Sequence, residues 1–278
     1  MIDIKTQLSI KHESGESYTD YSHKASNFGR DSFALDLVSE DSICIGFRKP
    51  INGLYLNHLT SYEVEGECIL QYWNGSAWVN ANGLVDDTLG LKRSGFIRFD
   101  RDLIGQAQSS INGATLYWYK LKVSIAREGL TVSGINLVFA DDYDLMLEQP
   151  YVTMPEFLGS LKSHILIHAA CRNEIIQKFR LKDFYKTDAS GNKQDINQWD
   201  LLEIQEVKQA AVFMAMSKIY SNMSDTDGDI WAVKAAEYNQ KAEAMIDLSQ
   251  TSLDYNDNGK DDDKNIIPPT SGTRFLNR

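Results

Sequence analysis

The spacing of apolar side chains changes near residue 150, and this change constrains the fold more than any other feature. Before it, short segments rich in β-branched and aromatic residues alternate with clusters of Gly, Asn, Asp and Ser. In residues 116–123, Trp118 and Lys120 fall on one face and Tyr119 and Leu121 on the other. A period of two is typical of half-buried strands, and many short strands favour an antiparallel sandwich.

Two short sequences before residue 150 carry turn signals. Asn74-Gly75 tolerates positive φ at both central positions, so a hairpin is predicted there with Trp73 and Trp78 on either side. The adjacent pairs Asp86-Asp87 and Asp141-Asp142 lie in turn-like segments, where carboxylates usually accept hydrogen bonds from nearby backbone amides.

After residue 150 the spacing becomes helical. Thr153, Pro155 and Glu156 form a helix-start signal. A second helix is predicted from about Ile196 to Met223, and a third follows an Asp/Gly break. The predicted buried positions are Leu158, Leu161, Ile165, Ala169, Ile176 and Phe179, then Leu201, Ile204, Val207, Ala211, Met214 and Tyr220, then Trp231, Ala235, Tyr238, Ala242 and Met245. Short connections between them predict a small antiparallel bundle.

These patterns predict an α+β chain of 278 residues, long enough for two cores. We expect an antiparallel β-sandwich (jelly-roll-like) over residues 1–148, a helical domain over 149–250 and an extended tail over 251–278. The tail holds two prolines and few apolar anchors, which is typical of segments that are extended or disordered when free.

The net charge of −11 disfavours specific binding of nucleic acid or anionic membranes, because such binding requires cations that displace counterions. An acidic wall past which DNA slides remains compatible with the charge. No apolar run approaches the ~20 residues that span a bilayer, and the first residues lack a signal-peptide pattern. Three cysteines without paired spacing (Cys44, Cys68 and Cys171) indicate buried thiols in a reducing compartment.

His164, His168 and Cys171 follow one another at i, i+4 and i+7, so a helix would project them from one side. Imidazole and thiolate are good zinc ligands, and a metal-dependent hydrolase is one hypothesis. The alternative is simple packing, because no His-Glu-x-x-His arrangement is present. No Gly-x-Ser-x-Gly elbow, Walker loop or dinucleotide fingerprint occurs either, and we expect the chain not to be an enzyme.

A second candidate metal site lies near the C-terminus. The oxygen ligands at calcium-loop spacing are Asp254, Asn256, Asn258, Lys260 (through its carbonyl) and Asp262. Gly259 stands where such loops turn sharply, but Asn265 replaces the bidentate glutamate of position 12. The alternative is a solvated acidic linker, so calcium is a possible ligand and no cofactor is required.

The first half also contains an aromatic set: Tyr72, Trp73, Trp78, Tyr117, Trp118 and Tyr119. If exposed, these rings could stack on sugars, which leads to the alternative hypothesis of a carbohydrate-binding or adhesion module. More often, such residues form the core or anchor an interface.

With these segments laid out, the second half resembles the helical head–tail adaptor (connector or head-completion) proteins of tailed bacteriophages. The resemblance lies in QAAVFMAMSKIYSNM at 209–223 and DIWAVKAAEYNQKAE at 229–243, with an Asp/Gly break between them. The first half resembles β-sandwich modules of phage virion proteins through YWNGSAW at 72–78, GFIRFD at 95–100, YWYKLKV at 117–123 and GINLVF at 134–139.

The resemblance implies a homo-oligomeric ring, commonly of about twelve copies, beneath the portal protein of the virion neck. DNA would pass through its lumen without specific binding, and synthesis would occur in the host cytoplasm. Other neck or tail proteins are further expected partners of the sandwich. The tail residues implied in portal binding are Asp254, Asn265, Ile266, Ile267, Pro268, Pro269, Arg274, Phe275 and Leu276.

Overall fold

The computed structural model describes residues 8–26, 31–38, 40–100, 105–158, 163–187, 192–226, 229–248 and 252–254. It confirms the predicted fold class: antiparallel β-sheets in the N-terminal part are followed by helices. The chain divides into two compact units, Met1–Leu137 and Val138–Arg278.

The first unit is built from strands and one short helix. The strands are β1 (Leu8–Ser14), β2 (Ser17–Asp20), β3 (Phe33–Leu37), β4 (Ser42–Phe47), β5 (Gly53–His58), β6 (Cys68–Trp73), β7 (Trp78–Asn80), β8 (Val85–Asp86), β9 (Gly95–Arg98), β10 (Gln108–Ile111), β11 (Ala114–Val123) and β12 (Arg127–Asn136). Helix α1 (Ser22–Ser26) lies between β2 and β3 and was not among the elements predicted from the sequence.

The described strands of this unit form two sheets. One has the order β2-β1-β4-β11-β6-β7, with β10 also paired to β11, and the other has the order β3-β12-β5-β9-β8. All of these pairings are antiparallel. Trp73 lies opposite Trp78, which confirms the predicted hairpin. Its loop spans residues 74–77, and of the two predicted positive-φ positions Gly75 has a φ of 96° whereas Asn74 does not have a positive φ.

The core of the first unit is centred on Tyr119, which is fully buried. Its ring lies 5.3 Å from that of Phe99, which follows β9 in the other sheet. Its hydroxyl accepts a hydrogen bond from the Ile51 amide at 3.0 Å and one from Gln106 Nε2 at 2.6 Å. Burial raises the pKa of Tyr119 to about 12, so the phenol stays neutral and ties the strand to the loop before β5.

A turn after β8 is held by the carboxylate of Asp86, as the turn-capping interpretation predicted. It accepts hydrogen bonds from the amides of Cys68 at 3.0 Å, Thr88 at 2.9 Å and Gly90 at 2.7 Å. Leu89, Gly90 and Leu91 are all left-handed, with φ of 55°, 66° and 62°. Two non-glycine residues in this region carry strain, and the three bonds to one carboxylate offset it.

The second unit is mainly helical. Its helices are α2 (Asp142–Glu148), α3 (Pro155–Leu158), α4 (Ile165–Leu181), α5 (Gln205–Met223) and α6 (Ile230–Leu248), with 3₁₀ turns at Pro150–Thr153 and Gln198–Asp200. Strands β13 (Tyr185–Thr187) and β14 (Lys193–Asp195) pair with each other. Helices α5 and α6 pack closely together, and α4 packs on α5.

Three helical predictions need correction. Thr153 ends a 3₁₀ turn instead of capping a long helix, and α4 begins separately at Ile165. Helix α5 begins at Gln205 and not near Ile196, because residues 198–200 form a 3₁₀ turn whose cap is Asn197. On α6 the fourth buried position is Ile246, while the predicted Met245 is 40% exposed.

Cys44, Cys68 and Cys171 are buried free thiols, as expected. None of the helices in the described part of the chain is both long and apolar enough to span a bilayer.

Candidate interaction surfaces

One face of the seven-stranded sheet carries a partly buried ion-pair network, which we call the Lys120 face (Glu13, Ser42, Cys44, Trp118 and Lys120). Lys120 Nζ lies 2.6 Å from the Glu13 carboxylate, although 107 residues separate the two along the chain. Ser42 Oγ donates to the same carboxylate at 2.5 Å. Burial alone would raise the pKa of Glu13, but the hydrogen bonds from Lys120 and Ser42 lower it overall.

The indole of Trp118 is fully buried on this face. It packs with Cys44 and Ile111, and Trp78 and Leu116 cover the cluster. A ring without exposed area cannot stack on a sugar, so the proposed sugar contact of Trp118 is wrong. Tyr72 and Tyr119 are also buried, in the core between the sheets.

Trp73, Trp78 and Tyr117 are the members of the aromatic set that keep some exposure, and the two tryptophans lie beside the hairpin turn. Their rings meet edge-on, with centroids 5.7 Å apart. Lys120 Nζ lies 4.7 Å from the centroid of the Trp78 ring, so a cation already occupies one side of it. An exposed hydrogen bond joins Gln71 to Asn80 on the same pair of strands, β6 and β7.

The two histidines of the second unit form structural hydrogen bonds. His168 Nε2 lies 3.0 Å from Asp142 Oδ1, and His164 Nε2 lies 2.8 Å from the Val152 carbonyl. Burial alone would raise the pKa of Asp142, but the hydrogen bond and charge of His168 lower it overall. Asp141, its neighbour, caps α2 by accepting from the amides of Tyr143 and Asp144, as the turn-capping interpretation predicted.

Cys171 is fully buried and its pKa is raised to about 12 by burial, so it is a poor thiolate donor. Within the described ranges no group of three or more His, Cys, Asp or Glu side chains is placed to hold a metal ion. The histidine nitrogens identified above face a carboxylate and a carbonyl, which supports packing over metal binding.

Of the calcium-loop and tail residues, the structure describes Asp254 alone. It is 1% exposed, and its amide donates to the Asp200 carbonyl at 2.8 Å. Leu253 pairs with Leu201 in an isolated β-bridge. The remaining calcium candidates and the other tail residues lie outside the described residues.

An aromatic cage around Lys234 was not anticipated from sequence. Lys234 Nζ donates to the Tyr151 hydroxyl at 2.9 Å and lies 5.2 Å and 5.6 Å from the ring centroids of Tyr220 and Trp231. The Tyr151 and Tyr220 hydroxyls are 2.7 Å apart. Burial alone would raise the pKa of Tyr151, but the hydrogen bonds with Lys234 and Tyr220 lower it overall. The signal available in the sequence was the position of Lys234 between Trp231 and Tyr238 in a predicted helix.

Helix α6 also carries apolar residues outside its buried side. Its buried residues are Ala235, Tyr238, Ala242 and Ile246. A second set, which we call the α6 apolar stripe, consists of Ile230, Val233, Met245 and Leu248, which are 64%, 58%, 40% and 77% exposed. They lie as two pairs near the two ends of the helix, with the exposed Glu237 and Lys241 between them. Exposed apolar residues grouped in this way mark a candidate interaction site.

No protein-family model matches the chain, and no curated protein is significantly similar to it. A solved structure described as CpGH89CBM32-6 produced by Clostridium perfringens is similar over 48% of this chain and 94% of that one. The identity is 13% and the TM-score is 0.29. A similarity of this strength supports no conclusion about function.

Proposed function

We propose that the chain is a structural protein of the neck of a tailed bacteriophage. Its copies form a ring beneath the portal protein, the helical unit binds the portal, and the β unit contacts other neck or tail proteins. The observation that carries the proposal is the α6 apolar stripe.

Exposure of these apolar side chains to water is unfavourable. Burying an exposed Leu, Ile or Val side chain contributes about 1.5–3 kcal/mol. Helix α6 is already held in its unit by a separate buried side, so the stripe is available for binding without loss of the fold. A helix that is apolar on two sides is suited to assembly.

Charge and composition agree with a conduit for DNA. The net charge of −11 limits the counterion release that holds proteins on phosphate backbones. Because residues 209–243 resemble phage adaptors, the expected partner is the portal protein.

Native mass spectrometry of the purified chain mixed with its portal protein tests the proposal. We expect a complex with several copies of the chain per portal ring. The double variant Val233→Asp, Leu248→Asp should lose the complex, whereas Val64→Asp, at a residue 60% exposed in the β unit, should retain it. A wild-type chain that ignores the portal would overturn the proposal.

A second candidate function is carbohydrate binding at the hairpin. The remaining exposure of Trp73 and Trp78, next to the Gln71–Asn80 hydrogen bond, favours it. A glycan array probed with wild type, Trp73→Ala and Trp78→Ala separates the two candidates: glycan signal lost in both variants supports sugar binding, and no wild-type signal removes it.

A further inference from the structure

We infer that, before it joins any larger assembly, the chain pairs with a second copy of itself through two antiparallel α6 helices related by a two-fold axis. The occupant of the α6 apolar stripe is then the same stripe of another copy. The apolar residues and two charges of this helix occupy symmetric positions, so two antiparallel copies match each other.

The exposed residues are symmetric along the helix. Ile230 and Leu248 lie nine positions on either side of Asn239, and Val233 and Met245 lie six positions on either side. In an antiparallel pair whose axis is level with Asn239, Ile230 of one copy therefore lies opposite Leu248 of the second, and Val233 lies level with Met245. An apolar contact between Ile230 and Leu248 thus forms at each end of the pair.

The same residues are symmetric around the helix. At 3.6 residues per turn, the stripe falls within an arc of about 120° centred on Ile230 and Leu248, with Val233 and Met245 at its two borders. A two-fold axis perpendicular to both helices keeps each border on its own side, so the two Val233 side chains line one edge of the contact and the two Met245 side chains line the other. Ile230 and Leu248, at the centre of the arc, form the self-complementary contacts that an isologous interface requires.

Two charges within the stripe follow the same symmetry. Glu237 and Lys241 lie two positions on either side of Asn239, with side chains 55% and 42% exposed. Their own side chains approach to 2.7 Å within one helix. In the antiparallel pair each Glu237 also lies opposite Lys241 of the second copy, so opposite charges meet at both symmetric positions. A parallel arrangement would place like charges level with each other.

The other charges on α6 already have partners within the same copy, Lys234 through its hydrogen bond to the Tyr151 hydroxyl at 2.9 Å. Glu243 is joined to Lys178 at 2.5 Å, and Asp247 to Lys182 at 2.7 Å, both partners being on or next to α4.

The length of α6 limits the area that the pair can bury. Nineteen residues give a helix of about 28 Å, and two such helices bury an area at the small end of specific interfaces. A dissociation constant on the order of micromolar is expected. A two-fold contact of this kind cannot join neighbours around a single rotation axis. The inference therefore rests on the proposed function only in placing the dimer before ring assembly.

Sedimentation equilibrium with charge-swapped variants tests the pairing. Glu237→Lys alone or Lys241→Glu alone places like charges opposite each other at both positions, and each should weaken the dimer on the order of tenfold. An equimolar mixture of the two variants places opposite charges together again, so a heterodimer should form with wild-type affinity. The double variant Glu237→Lys, Lys241→Glu keeps both the intrahelical and the intermolecular pairs and should dimerise like wild type.

Circular dichroism of each variant shows whether its helix content is retained, and a dimer lost with intact helix content indicates a lost contact. An unfolded variant would also fail to be rescued in the mixture. A wild-type chain that is monomeric at about 100 μM, far above the expected dissociation constant, would overturn the inference. A mixture that associates no better than its components would do the same.

The portal protein is absent from these measurements, so the two proposals fail separately. A chain that dimerises but ignores the portal removes the neck function and keeps the pairing. A monomeric chain that binds the portal removes the pairing and keeps the neck function.

Discussion

Lys234 and Tyr151 are joined by a hydrogen bond of 2.9 Å from the ammonium to the phenol oxygen, across 83 residues of sequence. The bond connects α6 to the 3₁₀ turn that follows α2. The Lys234 ammonium therefore lies among three aromatic rings. Its removal is expected to change the pKa of Tyr151 and the stability of the helical unit.

The first prediction concerns this cation. Lys234→Met keeps an apolar stem of similar length but removes the charge, so the pKa of Tyr151 should rise, and the free energy of unfolding should fall by about 1–2 kcal/mol. Ultraviolet titration of the phenolate and urea unfolding measure the two effects. Lys92→Met, which removes an exposed pair with Glu65, is the control and should leave the tyrosine titration unchanged. An identical titration curve in Lys234→Met contradicts the prediction.

The second prediction concerns Asp142 and pH. Its pKa is lower in the folded protein than in the unfolded chain, so its contribution to stability is present above the unfolded value of about 3.9 and is lost as pH falls through the folded value. Asp142→Asn should lower the free energy of unfolding by about 2 kcal/mol at neutral pH. The difference from wild type should shrink below about pH 4.

Urea unfolding at a series of pH values measures this difference, with the exposed Asp225→Asn as control. A deficit that stays constant down to the most acidic condition would show that the charge of Asp142 is not responsible.

The third prediction separates two tryptophans of the seven-stranded sheet. Trp118 is fully buried, whereas Trp73 is partly exposed. Trp118→Ala should cost about 3–5 kcal/mol of stability, and Trp73→Ala about 1 kcal/mol. Thermal unfolding of both variants checks the ranking; equal costs would mean that Trp118 is not the larger packing element.

The fourth prediction concerns the turn after β8. Asp86→Ala leaves three backbone amides without their acceptor and removes the support of a left-handed turn, so a cost of about 2–4 kcal/mol is expected. Asp87→Ala is the matched control, because its ion pair with Arg98 is over a third exposed and should contribute at most about 1 kcal/mol. Urea unfolding compares them, and a larger effect at Asp87 would refute the assignment.

Local periodicity predicted the class of each half correctly because its cause is local. Alternation along β11 placed Trp118 and Lys120 on one face and Tyr119 and Leu121 on the other, as the strand pairing confirms. The burial of Trp118 could not be predicted, because it depends on a hairpin partner, Ile111, and on Cys44 from a distant strand. Likewise, Ile246 is the buried residue on α6 in place of the predicted Met245, because burial depends on neighbouring elements that the helical period does not specify.

The candidate sites were predicted less well, for the same reason. Helical spacing brought His164 and His168 together correctly, yet their partners, Asp142 and the Val152 carbonyl, come from preceding segments and turn a possible metal site into packing. The Glu13–Lys120 pair and the Lys234 cage join residues far apart in sequence. Such contacts exist only once strands and helices have been placed side by side.

The short pairing of Leu253 with Leu201 has a mechanical consequence. Backbone bonds from Leu202 to Ser252 and from Asp254 to Asp200, 2.9 Å and 2.8 Å long, clamp the chain at this point. Tension applied beyond Asp254 would therefore be resisted first by these two bonds, next to the 3₁₀ turn at Gln198–Asp200, and would reach α6 only after they had ruptured.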